Sequence, residues 1–195
     1  MSPEELARIV PLRSEYDQFS VRIEELERRV AELSERVPED RATIVMFSGD
    51  LDKVLAGFLI AAGAATAGLE TSIFFTFWGL SALKKAEARA AGTRNIKEKM
   101  FAMMTPSGSA ALGVSRMNFM GIGASMMRSM MKDKGIASLE ELMDVARELG
   151  VRFIACTMTM DIMAVSKEEL VDGLEYGGVA TYMADAARSR VTLFI

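Results

Sequence analysis

The chain has 195 residues, half of them hydrophobic, and a formal net charge of −4. This length predicts one domain of roughly 150 residues with an appendage, and the acidic balance argues against nucleic-acid binding, which usually needs a basic face. The chain holds one cysteine and no histidine, which excludes a Cys–His dyad, a Ser–His–Asp triad, a histidine metal site and an intrachain disulfide.

Residues 1–40 form a separate N-terminal unit with the pattern of an oligomerising coiled coil. The apolar residues alternate spacings of three and four, as in a heptad seam: Ile9, Leu12, Tyr16, Phe19, Ile23, Leu26, Val30, Leu33 and Val37. Mostly β-branched residues at one core position and leucine at the other favour a parallel dimer. Pro11 marks the helix start and Pro38 its end, since proline fits the first turn and not the interior. The alternative is an amphipathic helix folded against its own domain.

Residues 41–195 alternate short apolar runs with helical patterns, which predicts a parallel sheet covered by helices on both faces. The predicted strands are 42–47, 70–77, 151–156 and 190–195, with a further short strand near 174–176. The predicted helices are 51–68, 80–91, 138–149, 166–172 and 178–189. Ser138 and Glu141 have the spacing of a capping box. The fold class is therefore α/β, with a mostly parallel sheet of about five strands.

Two apolar stretches bear on membrane insertion. Residues 54–69 are uncharged but number only 16, fewer than the roughly 20 that a bilayer span needs. Residues 101–127 are interrupted by Pro106 and Arg116. The first residues are acidic and polar, unlike a signal peptide, and a lone cysteine provides no disulfide framework. We therefore expect a cytoplasmic protein, with membrane association as the less favoured interpretation.

Residues 92–136 interrupt the alternation as a methionine-rich insertion. They hold nine of the 16 methionines: Met100, Met103, Met104, Met117, Met120, Met126, Met127, Met130 and Met131. A long insertion between regular units is usually a functional loop or lid, and flexible thioethers suit an adaptable apolar surface. The alternative is packing in the core or in a subunit interface.

The candidate site follows from the expected sheet, because ligands of open parallel sheets bind beyond the carboxyl ends of the strands. The residues at four such ends are Ser48, Gly49, Asp50, Trp78, Cys156, Thr157, Asp161, Tyr176, Gly177 and Gly178. We expect them along one edge, with Cys156 facing a pocket into which helix N-termini point. Such surroundings stabilise an anionic sulfur, either a thiolate or a persulfide. The alternative is that Cys156 is a small buried hydrophobic residue.

A second hypothesis uses the same segment to bind copper. Cys156, Met158 and Met160 are two residues apart, so on an extended segment their sulfurs face one way. Thiolate and thioether ligands select Cu(I). A Cu(I)-binding protein is the least favoured of the functional alternatives, since methionine packing explains the same pattern.

Several separated motifs resemble the single-cysteine branch of the DsrE/DsrF/DsrH-like sulfur-relay family. They lie at 76–80, 118–121, 153–163, 172–180 and 193–195. The resemblance covers roughly residues 41–195 and leaves the coiled-coil segment outside it. It implies a three-layer α/β/α fold, homo-oligomers, and a persulfide carried on Cys156 between proteins.

The resemblance also implies partners and a function. Related domains are labelled sulfurtransferase or peroxiredoxin-like and are fused to rhodanese or TusA-like modules, so sulfur donors and acceptors of those kinds are the expected partners. No cofactor or metal is implied. The resulting hypothesis is a sulfur carrier that passes a persulfide between partner proteins, and the sequence leaves open whether it acts as an enzyme. The alternative is a non-catalytic oligomeric interaction module.

Overall fold

The computed structural model describes residues 13–34 (side chains from residue 16), 37–85, 105–116, 118 and 121–195. Contacts between Cα atoms divide the chain into two compact units, Met1–Pro38 and Glu39–Ile195. In the first unit, helix α1 spans Arg13–Ser34, which confirms the predicted N-terminal helix. The proposed start at Pro11, with Ile9 and Leu12, lies outside the described residues.

The apolar seam of α1 is uncovered in the single chain. Its side chains from position 16 onward are all more than half exposed: Tyr16, Phe19, Ile23, Leu26, Val30 and Leu33. Ion pairs from Glu25 to Arg28 and Arg29, each 2.7 Å long, run along the helix surface. These local pairs stabilise an isolated helix only slightly, and most helical stability in proteins comes from packing of an apolar face.

The second unit contains a five-stranded sheet in which every strand pair is parallel. The strands are β1 (Glu39–Met46), β2 (Glu70–Phe75), β3 (Arg152–Cys156), β4 (Glu175–Gly177) and β5 (Ser189–Phe194). Their order is β4-β3-β2-β1-β5. The predicted parallel α/β sheet is thus confirmed, and all five carboxyl ends lie along one edge, called here the carboxyl edge.

Helices cover both faces of this sheet, as predicted. They are α2 (Leu51–Thr66), α3 (Ile122–Asp133), α4 (Leu139–Glu148), α5 (Thr157–Met163) and α6 (Val179–Ala186). Three short 3₁₀ helices span Phe77–Leu83, Ser109–Ala111 and Lys167–Glu169. Among the described residues, no helix is both long and apolar enough to cross a membrane.

The main core lies on one side of the sheet, called here the front face. It joins the central strands to α2 and α4 through side chains that include Ile44, Ile73, Phe58, Phe153 and Leu142. Alternate residues of the same strands point to the back face, where Phe74, Ile154 and Cys156 form a second, smaller cluster. The front face therefore buries many more apolar side chains than the back face does.

Local signals set several helix ends. Ser138 accepts a hydrogen bond from the backbone N–H of Glu141, and the Glu141 carboxylate accepts one from the backbone N–H of Ser138, which confirms the predicted capping box. Gly150 follows α4 with a φ of +80°, a conformation that glycine adopts without steric cost. The predicted helix at 166–172 is shorter, a 3₁₀ helix over Lys167–Glu169 in which the Glu169 carboxylate accepts a hydrogen bond from the backbone N–H of Ser166.

Two segments differ from the sequence-based expectation. The helix expected at 80–91 is a 3₁₀ helix that begins at Phe77 and ends at Leu83, and residues beyond 85 lie outside the described part until 105. The copper hypothesis requires an extended segment after Cys156, but α5 begins there at Thr157, and methionine is a good helix former.

Candidate site at the carboxyl edge

Cys156 is the last residue of β3 and the N-cap of α5. Its Cα pairs with that of Gly177 on the neighbouring β4, and its side chain joins Phe74 and Ile154 on the back face. The exposed fraction of Cys156 is 0%. The thiol is therefore closed to solvent in the single chain, unlike the open position that the sequence suggests.

Helix α6 supplies the cover of the small cluster that contains Cys156. Tyr182 on α6 packs against this cluster, and its ring lies 5.6 Å from the ring of Phe74. No residue of α6 is fully buried, and two of its apolar side chains, Val179 and Met183, are more than half exposed. A helix with so little buried surface is held only weakly by packing.

Charged groups at the C-terminal end of α6 anchor this helix to the sheet. Asp185, whose side chain is only 15% exposed, lies 3.3 Å from the Nη1 atom of Arg41 and 3.1 Å from that of Arg152. Arg152 also donates two hydrogen bonds to Glu175, and Arg41 pairs with Glu70. Because hydrogen bonds to charged groups are stronger than neutral ones, these contacts complement the weak packing of α6.

The hydrogen bonds from Arg152 lower the pKa of Glu175 below its usual value, against the opposing effect of desolvation. They likewise raise the pKa of Arg152. A carboxylate with a lowered folded-state pKa contributes stability above its unfolded value, about 4.3 for glutamate, and loses that contribution as the pH falls through the folded value. The pair of Arg152 with Glu175 is therefore fully formed at neutral pH.

A buried threonine pair, which sequence reasoning missed, ties the end of β2 to α5. The hydroxyls of Thr76 and Thr159 lie 2.9 Å apart, and the backbone N–H of Phe77 donates to Thr159 Oγ1 over 3.2 Å. Phe77 has a φ of +46°, uncommon for a bulky residue. The sequence offers no signal for this pair, because nothing in it distinguishes the hydroxyl of Thr159 from that of Thr157.

The other predicted residues near Cys156 lie on or beside the elements that flank it. Thr157 is exposed, and its hydroxyl donates to the carbonyl of Gly177 over 3.4 Å. Asp161 is exposed on α5, and Gly178 is the N-cap of α6. Tyr176 lies under Lys167, whose Nζ is 4.4 Å from its ring centroid.

A separate cavity at the end of β1 takes in the remaining predicted residues. This edge cavity measures about 410 Å³, and Ser48, Gly49, Asp50 and Trp78 line it together with Phe47, Lys53, Ser81, Pro106, Gly113, Val114 and Asn118. Cys156 does not line it. The structure thus separates the predicted residues into two groups, one around the thiol and one around the start of α2.

Two glycines allow the turn after β2 to pack closely against the end of β1. A Cβ on Gly79 would lie 2.1 Å from the carbonyl oxygen of Met46, and a Cβ on Gly49 would lie 2.7 Å from that of Trp78. The N–H of Gly79 also donates to the carbonyl of Phe47 over 2.9 Å. Only glycine permits so close an approach of two backbones.

The change Gly79→Ala is therefore expected to destabilise the fold by about 3 kcal/mol, since its methyl group meets rigid backbone. Thermal unfolding should show a fall in Tm of roughly 6–12 °C. The matched control is Gly63→Ala in α2, where a Cβ meets nothing within 4 Å and alanine favours the helix. Equal Tm values for the two variants would contradict the close approach.

The methionines of the insertion that are described gather on α3. Met126, Met127, Met130 and Met131 line a cavity of about 700 Å³. The copper hypothesis does not survive at Cys156, because α5 is helical and residues two apart on a helix point in different directions. Within the described ranges, no three acidic, cysteine or histidine side chains cluster in a way that could hold a metal.

Comparison with known proteins decides the family. The DsrE/DsrF/DrsH-like family matches residues 38–194 of the chain. The chain belongs to this family. The match includes all five strands and Cys156 and begins where α1 has already ended, so α1 is an addition outside the family domain.

Two relatives of this DsrE-like chain are similar over almost their whole length. The uncharacterized protein YrkE of Bacillus subtilis is 46% identical over 155 residues, which are 80% of this chain and 96% of that protein. The sulfur carrier protein DsrE2 of Allochromatium vinosum is 34% identical over 157 residues, 80% of this chain and 99% of that protein.

Proposed function

We propose that this protein is a sulfur carrier that holds a persulfide on Cys156. The observation that carries the proposal is the 34% identity, over 99% of its length, to a relative named as a sulfur carrier, together with a lone cysteine at a strand end inside the matched region. Mass spectrometry of the donor-treated protein tests it, because a loaded Cys156 is heavier by one sulfur atom.

The proposed chemistry is an exchange of sulfane sulfur between thiols. The Cys156 thiolate attacks the terminal sulfur of a donor persulfide, a bond forms between Sγ and that sulfur, and the donor's sulfur–sulfur bond breaks. The donor leaves as a thiolate, which takes up the proton that Cys156 gave to water. Delivery reverses the roles, with an acceptor thiolate attacking the terminal sulfur on Cys156. No external oxidant or reductant is needed, as in thiol–disulfide exchange.

Burial of the thiol adds a requirement to this mechanism. A persulfide enclosed among Phe74, Ile154 and Tyr182 is shielded from water and oxidants, whose access governs cysteine oxidation. The same burial closes the thiol to a donor, so loading requires a local opening. Helix α6 is the element to move, because it covers the back face with little buried surface of its own.

The partners that this chemistry requires are proteins with a reactive thiol or persulfide, such as rhodanese or TusA-like modules. The cytoplasm suits the exchange because its reducing pool keeps a lone cysteine as a thiol. Homo-oligomers are part of the proposal, assembled through the uncovered seam of α1. Helix α1 has 22 residues, about six turns, and most helical stability in proteins comes from packing of an apolar face; pairing of the apolar seams supplies that burial.

Removal of residues 1–38 is expected to lower the oligomer mass while leaving the Glu39–Ile195 unit folded, because that unit contains the whole sheet and its core. Light scattering measures the mass, and circular dichroism checks the fold. A charge in the seam, Leu26→Glu, should have the same effect, while Glu24→Gln on the exposed surface of α1 serves as its control. An unchanged mass in both the truncated chain and Leu26→Glu would refute assembly through α1.

A second candidate function is a non-catalytic oligomeric interaction module, which the exposed seam of α1 and the methionine-lined face of α3 favour. In that case Cys156 is a packing residue of the back face. A strain in which Cys156→Ala behaves as wild type in sulfur metabolism, while Leu26→Glu does not, would support this second candidate over the first.

A further inference from the structure

Strand β5 lies at one end of the sheet and has a neighbour on one side only. It pairs with β1, and no other described strand lies beside it. The N–H of Ile195 donates to the carbonyl of Val45, and the carbonyl of Ile195 accepts from the N–H of Phe47. Because successive residues direct these groups to alternate sides of a strand, those of Thr192 and Phe194 point to the outer side of β5, away from β1.

The outer side of β5 lacks the features that usually prevent pairing with another strand. Natural edge strands are blunted by lysine, proline, inward-pointing charges or bulges. β5 has neither lysine nor proline, and its one charged residue, Arg190, is paired with Asp40 over 2.7 Å. The irregularity in its pairing with β1 lies between Glu39 and Ala42, and Val191–Phe194 pair in unbroken register. The outer N–H and C=O groups of β5 therefore form a regular row that a further strand can bond.

Exposed apolar side chains flank this row on both faces of the sheet. On the back face, Phe194 is 71% exposed and stacks on Phe47, with the ring centroids 5.6 Å apart. On the front face, a Cβ on Gly57 would lie 3.5 Å from the side chain of Ile195, which places α2 next to β5. Ile60, three residues beyond Gly57 and a neighbour of it on the helix surface, is 43% exposed. A strand added to β5 would thus find apolar surface above and below it.

The strand is complementary to a second copy of itself in the antiparallel orientation. With a two-fold axis at Thr192, the outward groups of Thr192 meet those of Thr192 in the other copy, and those of Phe194 meet those of Arg190. Each of these pairs exchanges two hydrogen bonds, and the guanidinium of Arg190 lies beside the ring of Phe194, which attracts it. Residues 54–69 and 191–195 carry no charged side chain, so two copies of this surface do not repel each other.

We propose that two copies of the Glu39–Ile195 unit pair through β5 and join their sheets into one of ten strands. The occupant of the outer side is a second copy because the same surface supplies both halves of every pair, as an isologous two-fold interface requires. The exposed rings and aliphatic side chains add apolar burial to the backbone bonds, as in other homodimers. The pairing leaves β3 and β4, and with them Cys156, toward the two far ends of the joined sheet.

The full chain carrying Leu26→Glu, which blocks assembly through α1, tests this interface. Light scattering over a dilution series should show particles of two chains and not of one. Adding Thr192→Pro removes one outward N–H from each copy and should raise the Kd of the dimer roughly tenfold or more. Thr192→Val keeps the N–H and is the matched control, with an unchanged Kd. A Leu26→Glu chain that is monomeric at every concentration, or a dimer that Thr192→Pro leaves intact, would overturn the proposal.

A charge at position 194, in the same Leu26→Glu chain, tests the register of the pairing. Phe194→Lys places a cation opposite Arg190 of the other copy, and Phe194→Glu places an anion there. Because opposite charges attract across strands, like charges repel, and the two-fold axis doubles each effect, the Kd should be roughly tenfold lower for Phe194→Glu than for Phe194→Lys. Both variants lose the stack on Phe47 alike, so a folding defect cannot cause the difference. Equal Kd values would overturn the pairing centred on Thr192.

Discussion

Replacement of Cys156 with serine is expected to abolish sulfur loading. The chain has one cysteine, so the variant retains no thiol, and a serine hydroxyl cannot attack a persulfide at neutral pH. After incubation with polysulfide or a persulfidated donor protein, intact-mass spectrometry should show one added sulfur on the wild type and none on the variant. The expected effect is a complete loss of the adduct.

The serine variant changes a single buried atom, and its hydroxyl enters the apolar cluster of Phe74 and Ile154. Burial of a hydroxyl without a partner costs about 1–3 kcal/mol, so the Tm should fall by roughly 2–12 °C, and circular dichroism at the assay temperature checks that the variant is folded. An adduct of equal yield on both proteins would show that sulfur attaches elsewhere and would refute the carrier proposal. Failure of the wild type to load from either kind of donor would refute it as well.

Release of α6 from its anchor is expected to make Cys156 more reactive. The variant Asp185→Ala removes the carboxylate that lies within 3.3 Å of Arg41 and Arg152. A hydrogen bond to a charged group contributes about 1.5–3 kcal/mol, so its loss should raise the population of the open state roughly tenfold or more. The rate of alkylation of Cys156 by a thiol reagent should increase by the same factor.

The variant Asp172→Ala is the control for this experiment, because Asp172 pairs with Lys85 on the exposed surface away from α6, and its alkylation rate should match the wild type. Tyr182→Ala should increase the rate, and Tyr182→Phe should not, since the ring alone covers the cluster. The alkylation rate in low urea distinguishes the two routes to the thiol. Urea barely changes the rate when alkylation needs only a local opening, and it increases the rate when alkylation needs global unfolding. If neither Asp185→Ala nor Tyr182→Ala alters the rate, access to the thiol does not run through α6.

The position of Cys156 along the chain was predictable, but its burial was not. An apolar run that ends in a cysteine indicates a strand end, and β3 ends there. Which face the side chain takes depends on the register of β3 against β2, where Phe74 pairs with Ile154. That register is a long-range property of the sheet, and a shift by one residue would move every side chain to the other face.

The predicted site divided in two for a related reason. Ser48, Asp50 and Trp78 follow β1 and β2 and meet in the edge cavity, as expected for neighbouring parallel strands. Cys156 is the last residue of the next strand, β3, and its side chain points to the back face, so the strand ends share an edge without sharing a pocket. Thr159 could not be found from the sequence, because an isolated hydroxyl becomes informative only when its burial and its partners are known.

The sequence by itself determined the alternation of strands and helices, the capping box of α4, the heptad seam of α1 and the absence of histidine chemistry. These features depend on local periodicity and on residue type, and both can be seen within a short window of the chain. Only the tertiary structure decided that the thiol is enclosed under α6 and that β5 lies at the end of the sheet. Both facts arise from contacts between residues far apart in sequence, which depend on how the sheet orders its strands and which face each residue meets.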